Sequence, residues 1–271
     1  MSTDSTPELV CTRGLGARFG TVVAVDDLNL SISPGEIFGL IGRNGAGKTT
    51  TIKMLTTLLP PSVGTASIAG HDVVREAQDV RRLIGYVPQA LSADGELTGY
   101  ENLLVFARLF GVPRRELKAR IGEALAFMGL SDSADKLVRS YSGGMIRRLE
   151  IAQSTLHRPQ VLFLDEPTIG LDPVAREAVW GHIARLNADF GTTMVITTHY
   201  LEEAEALCGR IGVMHMGHLV ALDTPEHLKA QTGAATLDEA FARLTGGGSA
   251  AEHDAGYVET SRTRSAAGRL A

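Results

Sequence analysis

Gly42-Arg43-Asn44-Gly45-Ala46-Gly47-Lys48-Thr49 fills every fixed position of the phosphate-loop pattern G-x-x-x-x-G-K-[ST]. The residues before it, Glu36-Ile37-Phe38-Gly39-Leu40-Ile41, predict a short buried strand, and Thr49 to Leu58 predict a helix. That strand–loop–helix order is the context the pattern needs. Glycines let the loop curl until its N–H groups converge on phosphate oxygens. The helix N-terminus adds its dipole and its unpaired N–H groups. Lys48 is expected to reach the β- and γ-phosphates of a nucleotide, and the Thr49 hydroxyl to coordinate Mg²⁺. On this pattern alone, GTPases, kinases and many ATPases stay open.

A second stretch narrows the field. Val161-Leu162-Phe163-Leu164-Asp165-Glu166 is an apolar run ending in two carboxylates, the pattern of a buried parallel strand with acids at its C-terminal tip. Ligands bind at that end of the strands in open α/β sheets. Asp165 suits a water-mediated contact to Mg²⁺. Glu166 stands one residue on, where a general base can polarise the attacking water. A third stretch, Ser142-Gly143-Gly144 followed by Met145-Ile146-Arg147-Arg148-Leu149-Glu150-Ile151-Ala152, reads as a capped helix N-terminus. Such an end is also an anion site, although plain capping explains it equally well on local grounds.

In this order, the three stretches resemble the ATP-binding subunits of ABC transporters. The family's signature loop is usually Leu-Ser-Gly-Gly-Gln; here it is Tyr141-Ser142-Gly143-Gly144-Met145. The serine and both glycines that meet the γ-phosphate in that family are kept, while Met145 lacks the polar contact of the family's glutamine. By the same resemblance, Gln89 in Tyr86-Val87-Pro88-Gln89 fits the Q-loop, which senses Mg²⁺ and the membrane partner. Gly170-Leu171-Asp172-Pro173 fits the D-loop, and His199 after Thr193-Met194-Val195-Ile196-Thr197-Thr198 fits the switch histidine. Phe19-Gly20 fits the aromatic loop on which adenine stacks. The resemblance implies ATP contacts at Phe19, at Gly42 through Thr50, and at Gln89, Ser142, Gly143, Gly144 and Asp172. It implies a Mg²⁺ site of Thr49, Gln89 and Asp165, and catalytic roles for Glu166 and His199. Each has a plainer local reading: Asp172 before Pro173 is a good helix cap, Phe19 can be core, and a histidine after a strand is often structural.

Composition agrees with a globular domain. The 271 residues are 44% hydrophobic and carry a net charge of −5, which offers no general attraction for nucleic acid or anionic lipid. No apolar run approaches the roughly 20 residues of a membrane span. Met1-Ser2-Thr3-Asp4-Ser5-Thr6 has no signal-peptide pattern. The expectation is a cytoplasmic chain that meets the inner face of the membrane through a partner. Cys11 and Cys208 form no metal-spaced cluster and no disulfide framework. The pairs Arg114-Arg115 and Arg147-Arg148 read as solvated helix surface.

The alternation of elements predicts a P-loop α/β fold with a mostly parallel sheet. The expected strands include Leu83 to Val87, Val161 to Asp165, Thr193 to Thr198 and Ile211 to Met216. The expected helices begin near Thr98, Arg114 and Pro173, and Leu201 to Leu207 forms another. The resemblance adds an antiparallel β-subdomain and an α-helical subdomain at about 90–158, within an ATPase domain of 7–245. Residues 1–6 and the Gly-, Ser- and Ala-rich stretch 246–271 are expected to be disordered.

One P-loop and one signature in a chain make half of two sites. The family solves this by pairing two ATPase domains head to tail, so a homodimer and a separate membrane permease are the expected partners, and nucleic acid is not. Tyr141 to Glu150 and Thr236-Leu237-Asp238-Glu239-Ala240-Phe241 with Leu244-Thr245-Gly246 resemble the daunorubicin-resistance type of exporter ATPase, whose members export drugs, lipids or polysaccharides. The alternatives are the ATPase of another ABC system, such as an importer, or a soluble ABC ATPase acting on ribosomes or DNA.

Overall fold

The computed structural model describes residues 8–246. The expected disordered ends therefore lie outside the described residues, apart from Gly246. The chain opens with a long hairpin, β1 (Val10–Phe19) and β2 (Val22–Ile32), then β3 (Ile37–Gly42), the phosphate loop and α1 (Lys48–Leu55). Next come β4 (Val63–Ile68), β5 (His71–Asp72), α2 (Ala77–Leu83) and β6 (Ile84–Val87). Three helices follow with no strand between them: α3 (Gly99–Leu109), α4 (Leu117–Phe127) and α5 (Gly143–Thr155). Alternation resumes with β7 (Val161–Asp165), α6 (Pro173–Phe190), β8 (Thr193–Thr198), α7 (Leu201–Leu207) and β9 (Arg210–His215). The described chain closes with β10 (His218–Asp223), α8 (Pro225–Thr232) and α9 (Leu237–Leu244).

Two sheets result. One is antiparallel throughout, in the order β2-β1-β4-β5. The other runs β10-β9-β3-β8-β7-β6, parallel except for the edge strand β10. The parallel strands are apolar along their length because helices or the second sheet cover both faces; every residue of β7 and β8 is buried. One core lies between the antiparallel sheet, α1 and β3, around Phe38, Ile52, Leu55 and Phe163. A second joins α3, α4, α5 and α6 to the other face, around Leu103, Leu125, Ile151, Leu164 and Ile183. A third packs α7, α8 and α9 against Ile41 and Val213.

Several expected boundaries move. The helix after the phosphate loop stops at Leu55, short of Leu58, because Thr57 turns left-handed (φ 64°) and the N–H groups of Leu58 and Leu59 both return to the Lys53 carbonyl. The helix expected from Arg114 starts at Leu117, since Pro113 to Glu116 is spent in a turn closed by the Glu116 N–H. The last expected strand covers Arg210–His215 and ends before Met216, whose positive φ (46°) begins the hairpin turn to β10.

The strand order is what builds a site. β3 lies between β9 and β8, and β8 lies between β3 and β7. The register sets Ile41 beside Thr198 and Asp165 beside Thr197. The C-terminal tips of β3, β7 and β8, distant in sequence, thus end side by side.

Candidate nucleotide site

The phosphate loop is held from both sides. Gly42 passes so close to β9 that an added Cβ would stand 2.6 Å from the Met214 carbonyl oxygen. Gly47 adopts φ 106°, and a Cβ there would lie 2.5 Å from the Ala24 carbonyl oxygen on β2. Only glycine meets both demands. The Ala46 carbonyl accepts the Gly217 N–H from the β9–β10 turn (3.1 Å), which pins the loop's far side. At its end α1 begins, and the first N–H groups of a helix have no partner within it.

A cleft of about 730 Å³ opens over this loop. Arg43 through Thr50, Phe19, Gln89, Glu166 and His199 line it, and Gly42 sits just beneath, its carbonyl accepting a hydrogen bond from Lys48 (2.6 Å). Phe19 stands at the rim with half its surface exposed (51%), the disposition of a stacking platform more than of a core residue. Asp165 is buried below the floor. Its Oδ1 accepts from the Thr49 hydroxyl (3.1 Å) and the Thr197 hydroxyl (2.5 Å). Tyr86 on the neighbouring strand has its phenol pushed up to about 12, by burial first and then by the Asp165 charge.

Glu166 is the centre of the cluster. It is buried and takes a left-handed backbone (φ 50°), an uncommon conformation for a residue with a Cβ. Its N–H donates to the carbonyl and the hydroxyl of Thr197, both at 3.0 Å, which fixes the strained turn to β8. Its Oε1 pairs with Lys48 Nζ (3.1 Å) and its Oε2 with His199 Nδ1 (2.6 Å). Burial by itself pushes the Glu166 carboxyl up; the His199 hydrogen bond and the Lys48 charge outweigh it and hold the group below its ordinary value. The carboxylate is therefore ionised, with one oxygen held by Lys48 and the other by His199.

Three residues that the sequence did not single out join the cleft: Ala24, Ile169 and Tyr200. Tyr200 lies against the His199 ring (centroids 4.2 Å apart) and carries the Arg176 guanidinium over its own ring (4.3 Å). Its position directly after His199 was the available signal, and a weak one.

Other expected site residues lie elsewhere in the same chain. Ser142 and Gly143 are exposed at the start of α5 and Asp172 caps α6; neither group lines the cleft. The capping reading holds for both: Ser142 Oγ accepts the Met145 N–H (3.3 Å), and Asp172 Oδ1 accepts the Ala175 N–H (2.9 Å) with Pro173 at the first helical position. Tyr141 is buried and donates to the Ser133 carbonyl (2.6 Å), which anchors the loop that presents Ser142.

The expectation for Arg147-Arg148 is wrong. Arg147 is almost completely buried (1% exposed), and Arg148 is half-buried, with Nη1 on the Met128 carbonyl (2.8 Å). Helical spacing allowed the surface reading because α5 is enclosed by α3, α4, α6 and the sheet, so even its polar positions meet protein. Arg114 and Arg115 are exposed as expected.

One more buried carboxyl joins the elements around Glu166. Glu203 on α7 accepts from the Thr168 hydroxyl and the Trp180 indole N–H, each at 2.9 Å, and its second oxygen has no partner among the described residues. Burial, against the hydrogen bonds it accepts, raises its pKa above the ordinary carboxylate value, and the Glu166 charge adds to the rise. A carboxyl raised in the folded state contributes stability in full below its unfolded pKa of about 4.3, and that contribution is lost as pH climbs through the folded value. Glu203→Gln cannot ionise. Its melting temperature, taken relative to wild type, is expected to be higher at neutral pH than at pH 4 in thermal unfolding runs. A difference that stays flat across that range would contradict the assignment.

Comparison with known proteins agrees with this geometry. The family model described as ABC transporter matches residues 25–169. Daunorubicin resistance ATP-binding protein DrrA3 of Streptomyces coeruleorubidus is 47% identical over 225 residues, covering 83% of this chain and 71% of that protein. Nod factor export ATP-binding protein I of Ralstonia nicotianae is 42% identical over 224 residues, covering 83% of this chain and 69% of that protein. A solved ATP-binding subunit of an ABC transporter superposes with a TM-score of 0.77 at 30% identity, over 87% of this chain and 99% of that one.

Proposed function

The chain belongs to the ABC transporter ATPase family as an ATP-binding, ATP-hydrolysing subunit, and from that premise we propose that it powers an exporter as one half of a head-to-tail ATPase pair. The observation that carries this reading is the division of the site. The phosphate loop, Gln89, Glu166 and His199 share one cleft, while Ser142, Gly143 and Gly144 lie outside it, the first two exposed and Gly144 buried against Ala175. A γ-phosphate needs donors on several sides, and the far side is supplied when a second copy brings its own Ser142 and Gly144 N–H. Asp172 meets the nucleotide or its neighbours across the same junction. The ATPase domain is residues 7–245, with a helical subdomain at about 90–158.

The residues fit a small hard cation: a hydroxyl and a carboxylate 3.1 Å apart, with Gln89 on the same cleft to offer its side-chain amide oxygen, form an all-oxygen donor set. Thr49, Gln89 and Asp165, the last through water, would hold Mg²⁺. Mg²⁺ held there would neutralise the charge that develops on the terminal phosphates. The chain's own groups do the rest. Phe19 stacks on the adenine, and Gly42 through Thr50 wrap the phosphates. Lys48 leaves the Glu166 carboxylate, 3.1 Å away, for the phosphate oxygens. That exchange frees Glu166 to take the proton of the attacking water, with His199 holding it in place. Nucleotide binding thus both loads the site and releases its base.

The exporter direction rests on relatives named for daunorubicin resistance and Nod factor export. No helix among the described residues is long and apolar enough to cross a membrane. Family membership supports placing the cargo path in a separate permease that holds this chain on the cytoplasmic face.

Mixed dimers test the shared site. Lys48→Ala disables the phosphate-loop side and Ser142→Arg the signature side, so each homodimer has two broken sites. In a mixed dimer one site collects both defects and the other is wholly wild type. Random assembly makes about half of the dimers mixed, so about a quarter of all sites are restored if sites act independently. ATPase activity of doubly tagged mixed dimers is expected to exceed that of either parent, and the same preparation from solubilised membranes is expected to carry a membrane subunit. Inactive mixed dimers would overturn the shared site. Recovery with ribosomes or DNA in place of a membrane subunit would overturn the transporter reading.

A further inference from the structure

Beneath the cleft, a buried ion pair ties α5 to the segment that begins at Gln89. Arg147 Nη1 donates to the Pro88 carbonyl (2.7 Å) and Nη2 to the Gln89 carbonyl (2.8 Å). One helical turn on, Glu150 Oε2 lies 3.0 Å from Arg147 Nη1. Glu150 Oε1 accepts from the Ser92 N–H, from the Ser92 hydroxyl (3.1 Å) and from the Ala93 N–H (3.3 Å). The cation grips the carbonyls before Leu91, and the anion grips the amides after it. Both side chains are 1% exposed.

Packing does not account for this arrangement. The neighbours on α5, Leu149, Ile151 and Ala152, are wholly buried and already join it to the core. A buried ion pair is often no more stable than apolar residues of the same volume. What the pair adds is a directional link between two functional segments. Gln89 lines the nucleotide cleft, and Arg147 holds the same residue's backbone carbonyl. Five residues up the same rigid helix stands Ser142. We propose that Arg147 and Glu150 are positioning residues that make the signature helix move with the Gln89 segment, so that Mg²⁺-nucleotide in one protomer sets how its own Ser142-Gly143-Gly144 meets the partner's nucleotide. The inference rests on the Mg²⁺ role of Gln89 and the shared site described above.

The test uses Arg147→Met with Glu150→Leu, which keeps volume and removes both charges. In a Glu166→Gln background, where ATP holds the dimer together, the Mg²⁺ concentration for half-maximal dimerisation is expected to rise about tenfold, a typical size for coupling between sites. ATP affinity without Mg²⁺ is expected to stay unchanged, because the phosphate loop is untouched. With Glu166 restored, kcat is expected to fall about tenfold while KM stays within about twofold. A folded double variant with the parent's Mg²⁺ dependence and kcat overturns the proposal.

Arg147→Lys covers the case in which the double variant does not fold. It keeps the charge but lacks the fork that spans two carbonyls, and the same shifts are expected in it. Hydrogen exchange gives a reading independent of dimer trapping. Adding ATP and Mg²⁺ to wild type is expected to slow exchange at Ser92 and Ala93 together with the first turns of α5, and in Arg147→Lys at the former alone. Wild-type segments that respond separately overturn the proposal even if Glu166→Gln forms no dimer, an outcome that by itself counts only against the shared site.

Discussion

Glu166→Gln is expected to lower ATP turnover by about 10²- to 10⁴-fold, the contribution of a general base, while ATP still binds. The substitution keeps the size of the side chain. Its single amide oxygen can keep one of the two carboxylate contacts, to His199 Nδ1 (2.6 Å) or to Lys48 Nζ (3.1 Å), and its NH2 takes the place of the other oxygen. What disappears is the negative charge and the ability to take a proton. Lys48 then has no carboxylate to leave when phosphate arrives, so affinity for ATP is expected to hold or improve. With hydrolysis stopped, the ATP-bound pair accumulates. ATPase assays and size-exclusion chromatography with ATP read the two effects separately. Turnover at the wild-type rate would remove Glu166 from the role of base, whatever the dimer does.

Lys48→Ala is expected to act one step earlier, at binding. Lys48 Nζ is only 5% exposed and lies among the Gly42 carbonyl, the Arg43 carbonyl and the Glu166 carboxylate. These are all acceptors, and a phosphate oxygen is the same kind of partner with more charge. A hydrogen bond to a charged group contributes about 1.5–3 kcal/mol, so ATP affinity is expected to fall about ten- to hundredfold. The variant also leaves the buried Glu166 without the Lys48 charge, with the His199 hydrogen bond still in place, and its carboxyl is then expected to titrate at a higher pH than in wild type. Hydrolysis falls with both. Equilibrium titration with ATP decides the matter; unchanged affinity together with unchanged hydrolysis refutes the phosphate-loop assignment.

The two substitutions separate because the two side chains reached the cleft by different routes. Lys48 belongs to a contiguous pattern whose glycines and helix start can be read in sequence. Glu166 was legible as an acid at a strand tip, but its contacts with Lys48 and His199 depend on which strands are neighbours. No local pattern states that β8 lies between β3 and β7.

Other features were legible only in part. Ser142 read as a cap and as an anion site, and the structure bears out the cap by geometry. The Ser142 cap and the helical pattern after it identified α5 as a helix, but the reading of Arg147 as solvated surface was wrong. Periodicity tells which residues share a face; it does not tell how many faces the rest of the molecule covers. The helix boundaries at Leu55 and Leu117 moved for a similar reason, since turns closed by backbone hydrogen bonds compete with the last and first helical turns.

The amino-acid sequence by itself determined the phosphate loop, the acids at the tip of β7, the helical insertion and the alternation that makes a parallel sheet. These depend on backbone sterics, capping and apolar spacing, which act over a few residues. The tertiary structure alone decided that Glu166 pairs with Lys48 and His199, that Arg147 and Glu150 clamp the Gln89 segment, and that Ser142 does not line the cleft over its own chain's phosphate loop. Those facts follow from strand order and helix packing, where contacts join residues that stand scores of positions apart and a buried charge takes whichever partner the fold brings within reach.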